Sequence, residues 1–267
     1  MRDVSDVLLA PGGKGTHMSK QLALIGCGNM GTAMLKGIVG SGLVAASDVV
    51  VADVAQQSQQ RLAAELGCTG TCDNSEAVAG AKTVIIAVKP QYLDAAVKAF
   101  ATDVPQDAMV ISIAAGVSLE RLEGLLGSDR KIVRVMPNLA AMVGESMSAL
   151  CPNPNVSDDE RELARELVCA FGKAEFIPEH LMDAVIAVSG SAPAYVCMFI
   201  EAMAEQAVLG TAKYLQQTGT HPAVLKDMVC SPAGTTIEAV AELERGGLRA
   251  TVIDAMLSCA ERNRQMA

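Results

Sequence analysis

The chain opens, after some twenty residues, into short apolar runs rich in Val and Ile at residues 21–26, 48–53, 83–88, 109–114 and 131–136. Between them lie stretches with helical spacing. Strand and helix alternating at this pace predict a parallel, doubly wound sheet of the Rossmann type, an α/β fold. The runs are apolar throughout and do not alternate, as expected of strands covered by helices on both faces. Two further runs, at residues 146–151 and 174–177, are expected as edge strands.

Beyond Ser157 the pattern turns helical. Ser157-Asp158-Asp159-Glu160 reads as a capping box, with an apolar face through Leu163, Leu167, Val168 and Phe171 and a stop at Gly172. Further helices are expected from Pro193, over about residues 236–244, and over 248–262. Their apolar faces are wider than one short domain covers by itself, which predicts burial against a second subunit. The boundaries expected are a flexible extension at residues 1–17, a dinucleotide-binding domain at 18–178, and an all-helical substrate and dimerisation domain at 179–267.

Composition narrows the picture. Of 267 residues, 51% are hydrophobic and only 3% aromatic, and the formal charge is -9. That charge, with no basic stripe, argues against a nucleic-acid partner. No apolar run approaches the ~20 residues of a membrane-spanning helix, and the first seventeen residues lack the pattern of a signal peptide. A cytoplasmic protein with no membrane partner is the expectation. The eight cysteines stand singly, without metal spacing, and read as reduced, buried small residues with no metal site.

The chemistry gathers at strand ends. Gly26-Cys27-Gly28-Asn29-Met30-Gly31 follows the first strand at once and runs into a helix. In that context Gly26 permits the tight turn, Gly28 lets the backbone approach a pyrophosphate, and Gly31 allows close helix–strand packing. A purely structural turn is the alternative. Asp53, 22 positions beyond Gly31, ends the second strand, where a carboxylate accepts from the ribose hydroxyls and favours NADH over NADPH. Otherwise it caps the next helix. Val88-Lys89-Pro90 and Met136-Pro137-Asn138 close two more strands at the edge where ligands collect. There Lys89 is either a surface cation or a ligand neighbour, and Asn138 either a donor to ligand or a turn residue. Late in the chain, Ser231-Pro232-Ala233-Gly234-Thr235-Thr236 offers hydroxyls and amides at a helix start, fit for a small carboxylate or for simple capping.

Six ordered motifs, GCGNMG, AVKPQ, RVMPN, VSGSAPAY, QAVLGTAK and SPAGTTIEAV, give the chain its resemblance to the pyrroline-5-carboxylate reductase family over about residues 18–264. The resemblance implies reduction of 1-pyrroline-5-carboxylate to L-proline, the last step of proline biosynthesis, by hydride transfer from NADPH or NADH, in a self-associating enzyme. It implies substrate binding by Ser231, Gly234, Thr235 and Thr236, with Thr236 at the imine nitrogen and Thr236 and Lys89 as catalytic residues. It implies cofactor binding by Gly26, Gly28, Asn29, Met30, Gly31, Asp53, Val88, Lys89, Pro90 and Asn138.

Against the family pattern, Asn138-Leu139-Ala140 replaces Asn-Thr-Pro, Ala192 and Ala233 replace glycines, and roughly twenty residues are absent near Ala204, a large piece for a helix–helix connection. The deletion either fuses two helices or alters how two subunits interlock. A weakly active or inactive dinucleotide-binding relative, or a reductase of another small cyclic imine, are the alternatives. A small β-hydroxyacid dehydrogenase shares the two-domain plan but wants a lysine that residues 184–191 lack.

Overall fold

A computed structural model describes residues 21–266, and the extension expected at 1–17 lies outside the described residues. The first part alternates β1 (Leu22–Ile25), α1 (Asn29–Gly40), β2 (Val49–Ala52), α2 (Gln56–Leu66), β3 (Thr69–Thr71), α3 (Asn74–Val78), β4 (Thr83–Ile86), α4 (Pro90–Phe100), β5 (Met109–Ser112), α5 (Leu119–Leu126) and β6 (Lys131–Met136). Then follow β7 (Ser146–Pro152), α6 (Asp158–Cys169) and β8 (Gly172–Phe176). The strands form one sheet in the order β3-β2-β1-β4-β5-β6-β7-β8. All neighbours are parallel except β6 and β7.

The five apolar runs thus become central strands, and both further runs form strands too, but only β8 lies at an edge: β7 sits between β6 and β8. Every residue of β1, β2, β4 and β5 is buried, with one core on each face of the sheet. Strand β3 was not legible in the sequence, because Thr69-Gly70-Thr71 has no apolar residue and lies on an exposed edge. The capping box at Ser157 forms, the Ser157 amide donating to Glu160 Oε2 at 3.0 Å. Helix α6 ends earlier than expected, at Cys169, and Gly172 instead opens β8.

After β8 come α7 (Met182–Val185), a π turn (Ile186–Gly190), α8 (Ala192–Ala202), α9 (Glu205–Thr218), α10 (Pro222–Val229), α11 (Thr235–Arg245) and α12 (Leu248–Met266). The deletion has not fused two helices. Met203 and Ala204 take extended conformations and separate α8 from α9, although Met and Ala favour helix and nothing in the local sequence explains the break. Helix α10, also missed, carries its signal in Pro222 at the first turn, after a His221 whose Nδ1 accepts from the Ala223 amide at 3.2 Å.

The helical part touches the sheet at few points. Arg134 of β6, nearly buried, donates to Glu179 Oε1 at 2.9 Å, and the same oxygen accepts from the Leu119 amide at the start of α5. Near the end of α12, Asn263 donates to Asp183 Oδ1 at 2.8 Å. Elsewhere α8 to α11 bury no residue at all. Met198 is 70% exposed and Leu257 61%.

Glu179–Ala202 forms a helical run of 24 residues whose most apolar 18-residue window has mean hydropathy 1.5, long and apolar enough by length and composition to cross a membrane. Counting unbroken apolar runs missed it, because Asp183 and the Ser189-Gly190-Ser191 step interrupt the run without interrupting the helix.

Lys131 of β6 pairs with Glu160 at the start of α6. Partial burial alone would raise the Glu160 carboxyl, but Lys131 and the Ser157 hydrogen bonds hold it below its ordinary value. A depressed folded value stabilises the fold above the ordinary carboxylate range, and that contribution is lost as pH falls through the folded value. Glu160→Gln is therefore expected to lower the melting temperature at neutral pH, with the gap to wild type closing in acid. Paired thermal melts across that range check it.

Candidate functional site

The sheet order reverses direction between β1 and β4, and ligands bind at such a switch point beyond the carboxyl ends of the strands. Here the glycine turn leaves β1. Gly26 has φ +102°, and a Cβ on it would stand 2.7 Å from the Ala87 carbonyl oxygen. A Cβ on Gly31 would stand 2.3 Å from the Gly26 carbonyl oxygen and 3.0 Å from Ala87 Cβ. Both positions therefore exclude any side chain for reasons internal to the fold. Gly28 differs, since a Cβ there meets nothing within 4 Å. It caps α1 with extended backbone and no side-chain capping bond, so the first amides of α1 face open space, as an approaching pyrophosphate requires.

Asp53, immediately beyond β2, faces this turn. Its Oδ2 accepts from the Cys27 amide at 2.7 Å and its Oδ1 from the Ala55 amide at 2.8 Å. Helix α2 begins only at Gln56 with Ala55 as its cap residue, so Asp53 is a tie to the glycine turn rather than the helix cap. The Cys27 thiol is buried beneath it and pushed up to about 12, by burial first and then by the Asp53 carboxylate, which leaves an inert packing group. The cysteines are free, but the expectation that all are buried is corrected: Cys72, Cys169 and Cys197 are exposed.

On the other side of the turn, Val88 packs against the core and Lys89 precedes α4, with Pro90 in its first turn. Lys89 is exposed at the carboxyl edge of the sheet. The structure thus brings Gly26 to Gly31, Asp53 and Ala87 to Pro90 together. Asn138 stands at the end of β6 with its side chain committed: Oδ1 accepts from the Ala140 amide and Nδ2 donates to Ser189 Oγ, both at 3.2 Å. Ser189 in turn donates to the Met147 carbonyl at 3.1 Å. Asn138 is therefore a turn residue that also ties the sheet to the π turn. Ser189 had no role in the sequence reading, and its place inside VSGSAPAY was the available signal.

The late motif forms a tight turn. The Gly234 amide donates to the Ser231 carbonyl at 3.0 Å, with Pro232 second and Ala233 third at φ +57°. That third position favours glycine in a turn with this sequence pattern, and Ala233 is the one non-glycine residue with positive φ among those described. Gly234 caps α11 without a side-chain bond, and a Cβ on it would lie 2.1 Å from Ser231 Oγ. Simple capping by Ser231, Thr235 or Thr236 is thus not what the structure contains. Among the described residues none of their hydroxyls makes a hydrogen bond, and no side chain caps the first amides of α11. No hydrogen bond or ion pair among the described residues joins this turn to Lys89 or Asn138.

Two sets of variants test this geometry. Gly31→Ala should lower the melting temperature sharply, whereas Gly28→Ala should leave it within a degree or two while weakening dinucleotide binding severalfold in a titration. Ala233→Gly should relieve about 1 kcal/mol of left-handed backbone strain, read as a raised unfolding midpoint.

Comparison with known proteins follows this layout. Residues 179–209 and 202–266 match the family model for pyrroline-5-carboxylate reductase dimerisation, and residues 21–116 match that for NADP oxidoreductase, coenzyme F420-dependent. The two dimerisation segments overlap at 202–209. A pyrroline-5-carboxylate reductase of Escherichia coli is 40% identical over 267 positions, covering 94% of this chain and 99% of its own length. The structure of a Coxiella burnetii pyrroline-5-carboxylate reductase superposes with a TM-score of 0.87 at 28% identity, covering 93% of this chain and 99% of that one. That of a Plasmodium falciparum pyrroline carboxylate reductase with NADP bound gives 0.83 at 25%, covering 93% and 98%. With the glycine turn, the late turn and both domains matched at this identity and coverage, the chain belongs to the pyrroline-5-carboxylate reductase family.

Proposed function

We propose that this chain reduces 1-pyrroline-5-carboxylate to L-proline with NADPH or NADH, and that the turn Ser231 to Thr236 is its substrate carboxylate site. The observation that carries the proposal is that turn: no side chain caps the first amides of an 11-residue helix, and the turn and helix start carry three hydroxyls, those of Ser231, Thr235 and Thr236. A helix N-terminus with free donors favours a carboxylate.

The residues present fit a dinucleotide. Gly28 leaves space that a side chain would fill, and Gly26, Asn29, Met30, Gly31, Asp53, Val88, Lys89, Pro90 and Asn138 are the proposed surround. Bound there, the reduced nicotinamide supplies a hydride. Ser231, Gly234 and Thr235 hold the substrate carboxylate. The Thr236 hydroxyl hydrogen-bonds the ring nitrogen, orienting a C=N group that arrives protonated, since a hydroxyl is too weak an acid to supply the proton itself. Lys89 borders the ring at the sheet edge. Fixing carboxylate and nitrogen together leaves the imine carbon one orientation.

Residues 18–178 then form the dinucleotide domain and 179–267 the helical one. Self-association is supported by the match to the dimerisation model and by helices α8 to α11, which bury nothing within one chain. A second copy is the proposed cover for that apolar surface, including the face of the 24-residue run. It also offers a route by which the late turn of one chain reaches the sheet edge of another. A cytoplasmic site of action belongs to the same proposal.

Purified protein is expected to oxidise NADH or NADPH when 1-pyrroline-5-carboxylate is added, followed by nicotinamide absorbance. Dinucleotide binding without turnover would instead identify an inactive relative. Thr236→Ala should cost about 10- to 100-fold in kcat with cofactor affinity within twofold. Equal losses in both would remove Thr236 from the substrate side.

A further inference from the structure

On the reductase reading above, we infer that Ser189 is a positioning residue for the reaction: its hydroxyl fixes the Asn138 carboxamide in one orientation at the ligand edge of the sheet. Ser189 lies in the π turn (Ile186–Gly190) and Asn138 just beyond β6, so a serine of the helical part sets a side chain of the dinucleotide part. The Ser189 hydroxyl donates to the Met147 carbonyl at 3.1 Å, and a carbonyl can only accept. With its proton spent there, the hydroxyl can only accept from Asn138, whose Nδ2 lies 3.2 Å away. At the other edge of the carboxamide the Ala140 amide can only donate, and Asn138 Oδ1 accepts from it at 3.2 Å. Flipping the carboxamide would set donor against donor and acceptor against acceptor. One orientation satisfies both contacts.

That orientation leaves capacity over. A primary amide carries two N–H donors and two acceptor lone pairs, so one Nδ2 hydrogen and one lone pair of Oδ1 make no bond among the described residues. The backbone beneath is fixed as well, since the Asn138 amide donates at 3.2 Å to Oγ of buried Ser146, which lies 3.1 Å from Oγ of buried Ser148. The π turn is itself held on both sides. Its Ile186 carbonyl accepts from the Ser191 amide at 2.8 Å, a Cβ on Gly190 would stand 2.6 Å from Met136 Cε at the end of β6, and Ser191 Oγ lies 3.2 Å from Cys259 Sγ of α12. Turns of this kind are uncommon and recur at functional sites. The Ala140 bond alone would let the carboxamide swing about one contact; Ser189 supplies the second, and a donor held at two points beside a strand end where ligands collect is aimed at them.

Two measurements on the full chain test the inference. In amide NMR spectra of the ligand-free protein, the Asn138 side-chain signal, identified by its loss in Asn138→Ala, is expected to exchange with water at least about tenfold more slowly in wild type and Ser189→Thr than in Ser189→Ala. In steady-state reduction of 1-pyrroline-5-carboxylate, Ser189→Ala should lose about tenfold in kcat with KM for the imine within about twofold, while Ser189→Thr, which keeps the hydroxyl, stays within about threefold of wild type. The melting temperature should barely move, because Met147 is 42% exposed and water can replace the lost donor. In the Asn138→Ala background Ser189→Ala should cost nothing further, the mark of a residue that acts through another. An Asn138 amide equally protected in Ser189→Ala, wild-type kcat in that variant, a Ser189→Thr as slow as Ser189→Ala, or an undiminished loss in the Asn138→Ala background overturns the positioning role while leaving the reductase reading intact. A wild type that turns nothing over overturns both.

Discussion

The site rests on a steric constraint at the switch point of the sheet. Two absent side chains, at Gly26 and Gly31, let the end of β1, the start of α1 and the end of β4 approach until main-chain atoms nearly touch. Everything functional at the sheet edge inherits its position from that contact. The open amides at Gly28 lie one residue from the Cys27 amide that Asp53 holds, and Lys89 lies two residues from the Ala87 that the glycines pack against. A substitution at either packed glycine moves the whole edge, whereas a Cβ on the third, Gly28, would meet nothing within 4 Å.

The second half of the chain obeys a different economy. Its helices make a scaffold whose apolar faces find no partner within the chain, anchored to the sheet through a few polar ties: Arg134 to Glu179, Asn138 to Ser189, and Asn263 to Asp183. Burial of such surface is the main favourable term in association, so the scaffold is stable in the form the dimerisation family describes. The late turn keeps its shape even at the cost of a left-handed alanine at position 233. Retaining a strained conformation beside uncommitted hydroxyls is what a binding turn shows and what a mere connection has no need for.

The deletion near Ala204 leaves a helix break where the local residues favour continuation. Met203 and Ala204 are extended, so α8 and α9 are separated by two residues. Both flanking helices survive, as do the motifs before and after them, and the late turn remains at the start of an intact helix.

By itself the sequence determined the sheet, its five central strands, the glycine turn and the capping box, because each follows from short-range periodicity and backbone chemistry that neighbouring residues carry. It did not reveal β3, which has no apolar pattern, nor the length of the run through Glu179–Ala202, whose polar residues interrupt the count but not the helix. Only the tertiary structure decided that Asp53 binds the glycine turn instead of capping α2, that Asn138 spends its side chain on Ala140 and Ser189, and that the hydroxyls of the late turn stay uncommitted. Those outcomes depend on which groups meet at sequence separations of 26 or 51, and a hydrogen-bond partner at that separation is chosen by packing, not by the residues beside it.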